Sequence, residues 1–88
     1  MATQPALEEG LAEELADLEL AGDALASAID AMDKYVAQGV PLTKARARAA
    51  HQLDLELVDA YHKGQLSFRR VLTTCHAFEQ TAATRRGK

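Results

Sequence analysis

Tryptophan is missing from this sequence, and aromatic side chains of any kind are scarce: Tyr35, Tyr61, Phe68 and Phe78 are the whole set. A core must therefore take its volume from Leu, Val, Ile and many Ala residues, and Ala-lined helix contacts bury little area at about 25 cal/mol per Å². A chain of 88 residues makes one domain, 1–88. Such a domain buries only about 60–65% of its unfolded surface, so a marginal monomer, or one completed by a partner, is expected. Cys75 is the single cysteine, which excludes an intramolecular disulfide and fits a reducing compartment. Long apolar runs are also absent, far short of the roughly 20 residues that span a bilayer. Glu8, Glu9, Glu13 and Glu14 interrupt any signal-peptide core, so a cytoplasmic protein without a membrane segment is expected.

Residues 1–33 contain no Lys or Arg, yet they hold nine acids. Residues 34–88 hold all ten bases against four acids, a net of +6 hidden within an overall charge of -3. An acidic N-terminal third thus precedes basic C-terminal two thirds. Two readings follow: an acidic helix lying on basic neighbours of its own chain, or an acidic surface turned toward a basic partner.

What is present is helix-forming sequence. Pro5 suits a first helical turn, and Leu11, Leu15, Leu18, Gly22, Leu25, Ile29, Met32 and Val36 recur at alternating gaps of four and three, with Leu7 extending the stripe. This predicts a long amphipathic helix over 6–38, either one face of a bundle or the seam of a homodimeric coiled coil. Gly22 on the seam and Asp23 after it leave a kink or break open. Gly39 and Pro41 stop the helix, and Thr43 is the expected cap of a second helix over 43–63 with Leu42, Ala45, Ala49, Leu53, Leu57, Ala60 and Tyr61 on its buried stripe. Asp54 offers a start for a further short helix. Gly64 ends that element, and Ser67 caps a last helix, 67–84, whose buried face is predicted as Phe68, Val71, Leu72, Cys75, Phe78 and Ala82. The expected fold is all-α: a three-helix bundle, or a four-helix one if a glycine or Asp54 divides a segment.

Chemistry finds little purchase. Cys75 and His76 are adjacent and so diverge by about 100° on a helix, which disfavours a nucleophile and base pair. His51, His62, Cys75 and His76 include no i, i+4 pair, and neither CxxC nor HxxxH occurs. The carboxylates read as a solvated stripe, and the five glycines are scattered rather than grouped into a phosphate loop. No enzyme activity, cofactor, metal or small-molecule ligand is expected.

The basic half supports a nucleic-acid reading, with Lys44, Arg46, Arg48, Arg69 and Arg70 as contacts. Residues 46–67, ending Leu57-Val58-Asp59-Ala60-Tyr61-His62-Lys63-Gly64-Gln65-Leu66-Ser67, resemble the segment after the helix-turn-helix of ParB-type partition proteins. That family's recognition helix and nucleotide-binding arginine motif have no counterpart here. In size, acidity and helicity the whole chain is similar to small bacterial antiactivators that sequester quorum-sensing or conjugative-transfer transcription regulators. That resemblance implies a non-enzymatic protein that binds a transcription regulator. The partner-binding residues are then Leu7, Leu11, Leu15, Leu18 and Leu25, with Glu14 and Asp17 on the acidic rim. Tyr61 and Phe68 form a second surface if they are not core. An antitoxin or chaperone-like adaptor belongs to the same class.

Overall fold

Two glycines set the architecture. Gly39 (φ 95°) and Gly64 (φ 75°) adopt the left-handed conformation that side chains with a Cβ resist, and each closes a helix. Behind Gly39, the Val40 amide donates to the Tyr35 carbonyl (2.9 Å) and the Gly39 amide to that of Val36 (3.0 Å). Behind Gly64, Gln65 donates to Ala60 (2.8 Å) and Gly64 to Tyr61 (3.0 Å). These paired bonds satisfy the last carbonyls of each helix and reverse the chain within a few residues.

The computed structural model describes the backbone of residues 4–85 and the side chains of residues 16–85. Three helices pack together: α1 (Gln4–Ala37), α2 (Leu42–His62) and α3 (Phe68–Thr84). No strand occurs among the described residues. Neither Gly22 nor Asp54 interrupts its helix. Ser67 caps α3 as expected, its Oγ accepting from the Arg70 amide at 3.1 Å. Thr43 does not cap α2. Pro41 occupies that position (φ -55°, ψ 142°), and its carbonyl accepts from Ala45 at 2.9 Å. The fixed proline φ moves the cap two residues earlier, so the threonine falls inside the helix.

The core departs from the expected stripes in a systematic way. On α1 the buried residues are Ala21, Ala24, Ala28 and Met32, while Leu18, Leu20 and Val36 are exposed. Leu25 and Ile29 lie half-buried at the edge of the cluster. On α2 the buried residues are Ala45, Ala49, Leu53, Leu57 and Ala60; Tyr61 is exposed. On α3 they are Val71, Thr74, Phe78 and Ala82, with Phe68 and Leu72 exposed and Cys75 between. Ala and Leu share the same helical periods, and hydropathy alone ranks the leucine stripe first. Close packing of three short helices selects the small face instead, because alanine surfaces let the backbones approach. Thr74 joins the core because its hydroxyl donates to the Arg70 carbonyl at 2.7 Å and so is not left unpaired.

Among the described residues each helix supplies one large, fully buried side chain: Met32, Leu57 and Phe78. Inter-helix polar pairs fix the directions. Asp17 faces Arg70 and Asp33 faces Arg85, so α1 and α3 run parallel. Arg46 pairs with Glu79, and Asp54 with Cys75, so α2 and α3 run antiparallel. The two pairs from α1 set acids of the N-terminal third against a base of the last helix and the base that follows it, the intramolecular arrangement that the charge split allowed.

Candidate interaction surface

Length creates the first feature of interest. At about 1.5 Å per residue, the 34 residues of α1 span about 51 Å, the 21 of α2 about 31 Å and the 17 of α3 about 25 Å. The molecule is correspondingly elongated, with extents of 58 × 23 × 17 Å. The short turn at residues 38–41 ties α2 to the C-terminal end of α1. The stretch of α1 that its neighbours are too short to cover is therefore the N-terminal one.

Side chains are described on the adjoining part of α1. Leu18 is 49% exposed, and Leu20 is exposed on the opposite flank. Leu25 is half-buried and packed against the core. Asp17 is largely covered, and its carboxylate lies 3.9 Å from Arg70 Nε, beyond hydrogen-bond distance. It orients α3 more than it rims an open surface. Leu7, Leu11, Glu14 and Leu15 lie outside the described side chains.

Further exposed apolar side chains stand on α2 and α3. The Tyr61 and Phe68 rings meet edge to face, centroids 5.9 Å apart, where the two helices join. Phe68 (59% exposed) and Leu72 (55%) sit one turn apart on α3. On α2, Leu55 (59%) and Val58 are also exposed. They belong to a regular stripe, Lys44, Arg48, His51, Leu55, Val58 and His62, with gaps of 4, 3, 4, 3 and 4, and every member is exposed. The spacing was in the sequence, but only the centre of the stripe is apolar, so a search for hydrophobic heptads passes over it.

The five cationic residues proposed for nucleic acid do not converge. Arg46 is held by Glu79, and Arg70 by Asp17. Arg48 lies over the Tyr35 ring, 5.8 Å from its centroid, and Tyr35 Oη accepts from Gln52 at 2.8 Å. Lys44 and Arg48 stand near one end of α2, about 20 Å along its axis from the end beside Arg69 and Arg70. The helices of a helix-turn-helix cross at about 90–120°. Here α2 and α3 pair lengthwise from Arg46–Glu79, through Asp54–Cys75, to Tyr61–Phe68.

Cys75 is chemically quiet. Its Sγ donates to Asp54 Oδ1 at 3.1 Å, and burial, followed by this hydrogen bond and the nearby carboxylate charges, pushes the thiol up to about 11. The thiolate is the reactive form. At pH 8, alkylation of the folded protein is expected to run about 100-fold slower than in denaturant. Timed iodoacetamide labelling checks this; equal rates would mean that the thiol is free. The sign of the linkage follows: the raised value adds stability below about pH 9, and that contribution is lost as pH rises toward 11.

A cleft of about 50 Å³ between α1 and α2, lined by Ala24, Ser27, Ala28, Gln52, Leu53 and Glu56, is well below the roughly 300 Å³ at which small-molecule sites begin. Among the described residues no group of three or more His, Cys, Asp or Glu is placed to hold a metal ion. No described helix is long and apolar enough to cross a membrane. Comparison with protein-family models, curated proteins and solved structures finds no match for this chain.

Proposed function

We propose that this chain is a non-enzymatic regulatory protein that captures another protein on the leucine-bearing flank of α1, and that its partner is a bacterial transcription regulator of the quorum-sensing or conjugative-transfer kind. One observation carries the reading: α1 buries Ala21, Ala24 and Ala28 and leaves Leu18 in solvent. Close packing accounts for the buried alanines, and it leaves Leu18 to be covered from outside the bundle, where burying a leucine contributes about 1.5–3 kcal/mol. The stripe continues in sequence through Leu15, Leu11 and Leu7 into the stretch that α2 and α3 are too short to cover. Acids dominate that stretch, with Glu8, Glu9, Glu13 and Glu14 and no base. Apolar burial then supplies affinity, while the acidic rim steers the helix to a basic groove such as a DNA-binding surface. A protein acting this way works in the cytoplasm, as an antiactivator.

The test is a tagged pull-down from the native host after nuclease treatment, followed by mass spectrometry. Recovery of a transcription regulator by the wild type is expected, with at least a tenfold loss for Leu18→Asp and for Leu11→Asp/Leu15→Asp. Circular dichroism of both variants should match the wild type, because Leu18 is half in solvent already. Undiminished capture by both variants sinks the reading.

A further inference from the structure

Nothing in its own bundle accounts for Gly22. It lies inside α1, where glycine is the poorest helix former after proline. Its φ is not positive, and among the described residues a Cβ built there meets nothing within 4 Å. Neither a turn nor a tight contact calls for the missing side chain. What the glycine does leave is a notch in the apolar stripe. Leu18 and Leu25 stand one turn to either side, about 10.5 Å apart along the axis, and Ile29 one turn beyond. Leu18 is 49% exposed, Gly22 is exposed, and Leu25 and Ile29 are half-buried. Large apolar residues four and three places either side of a small one wall the kind of hole that receives a side chain from a neighbouring helix. A glycine floor lets that helix approach most closely.

The borders of the stripe select the kind of helix. Glu19 and Asp23 each follow a stripe residue by one place, so both stand on the same side of it, about 100° round α1. Both are exposed, and among the described residues neither joins the ion pairs that Asp17, Asp30 and Asp33 make. The other side is buried, with Ala21, Ala24 and Ala28. A helix seated on the notch thus lies against two carboxylates, and residues 1–33 hold no base to offset them. The α1 of a second copy brings the same acids and is repelled. A helix with an apolar stripe and a basic flank is attracted.

We infer that the notch at Gly22 seats a large apolar side chain of a basic amphipathic helix. This seat rests on the capture reading above, and fixes both the place of closest approach and the class of element that the partner presents.

Two substitutions test it, because stability and binding should move in opposite directions. Gly22→Ala should melt about 3–8 °C above the wild type from helix propensity alone, and Gly22→Leu at or above the wild type. The probe is a blocked synthetic peptide of three heptads, with leucine at the a and d positions and lysine and alanine elsewhere. Labelled with fluorescein and followed by anisotropy, it should bind the wild-type chain. Its affinity should fall about threefold for Gly22→Ala and at least tenfold for Gly22→Leu, and the same peptide with glutamate for lysine should not bind. Unchanged or tighter binding by Gly22→Leu overturns the inference, as does a melt of that variant far below the wild type. A wild type that ignores the lysine peptide, or accepts the glutamate one, overturns it too. So does a wild type that sediments as a dimer which Gly22→Leu dissociates, because the notch then belongs to a second copy. The pull-down fails separately: a regulator lost by Leu18→Asp but kept by Gly22→Leu sinks the seat and leaves the capture reading standing.

Discussion

Phe78→Ala is expected to unfold most of the molecule at 37 °C. Phe78 is 1% exposed and is the largest side chain on α3 that the core encloses completely. Its neighbours in the buried cluster are chiefly alanines, with Met32 and Leu57 as the other large, fully buried members. Truncating a buried phenylalanine costs about 3–5 kcal/mol, and alanine neighbours have no longer side chains to swing into the space. Small domains are stable by only about 5–10 kcal/mol in total. Thermal melts followed at 222 nm should show the midpoint falling by about 20 °C or more, at roughly 4–8 °C per kcal/mol. A drop of only a few degrees would mean that the bundle does not depend on α3 for closure.

Ala49→Leu should be nearly as damaging, for the opposite reason. Ala49 and Ala45 are completely buried on α2 and form part of the small-residue face on which the helices meet. Adding three carbons there forces the backbones apart or drives a side chain off its rotamer, at about 1–3 kcal/mol or more. Ala47→Leu is the matched control, one half-turn away and exposed. Urea denaturation should place the midpoint of the first variant well below that of the second, which should match the wild type. Equal midpoints would mean that the alanine face has slack. Hydropathy counting predicts the contrary, since leucine at a buried position adds apolar area.

That contrast marks how far the sequence could be read. The helix ends at Gly39 and Gly64, and the Ser67 cap, are local chemistry, and each is visible in two or three residues. The number of helices follows from them. Which face of each helix is buried is a different kind of property. On α1 and α3 two overlapping faces have the proper period, and the choice between them depends on how near the neighbouring backbone can come. Ala21, Ala24 and Ala28 are buried in place of Leu18 and Val36, with Ala24 and Ala28 lining one cleft with Leu53 of α2. No window of one helix contains that information. Thr74 illustrates the same limit: its polar type argued against burial until its own preceding turn supplied the acceptor. The exposed stripe on α2 was legible as spacing but mixes cations with Leu55 and Val58, so amphipathicity alone did not flag it.

The tight reversals at residues 38–41 and 63–67 have a bearing on how the molecule comes together. Consecutive helices are spatial neighbours, so α1 with α2, and α2 with α3, close loops of only a few residues and surrender little chain entropy. The parallel alignment of α1 with α3 is the one non-local arrangement, joining positions 52 or more residues apart, as Asp33 and Arg85 are. Topologies dominated by near-neighbour pairing belong to the fast end of the folding range, microseconds to milliseconds. A bundle opened at either turn can thus reclose in a sub-second cycle, without a slow search through distant pairings.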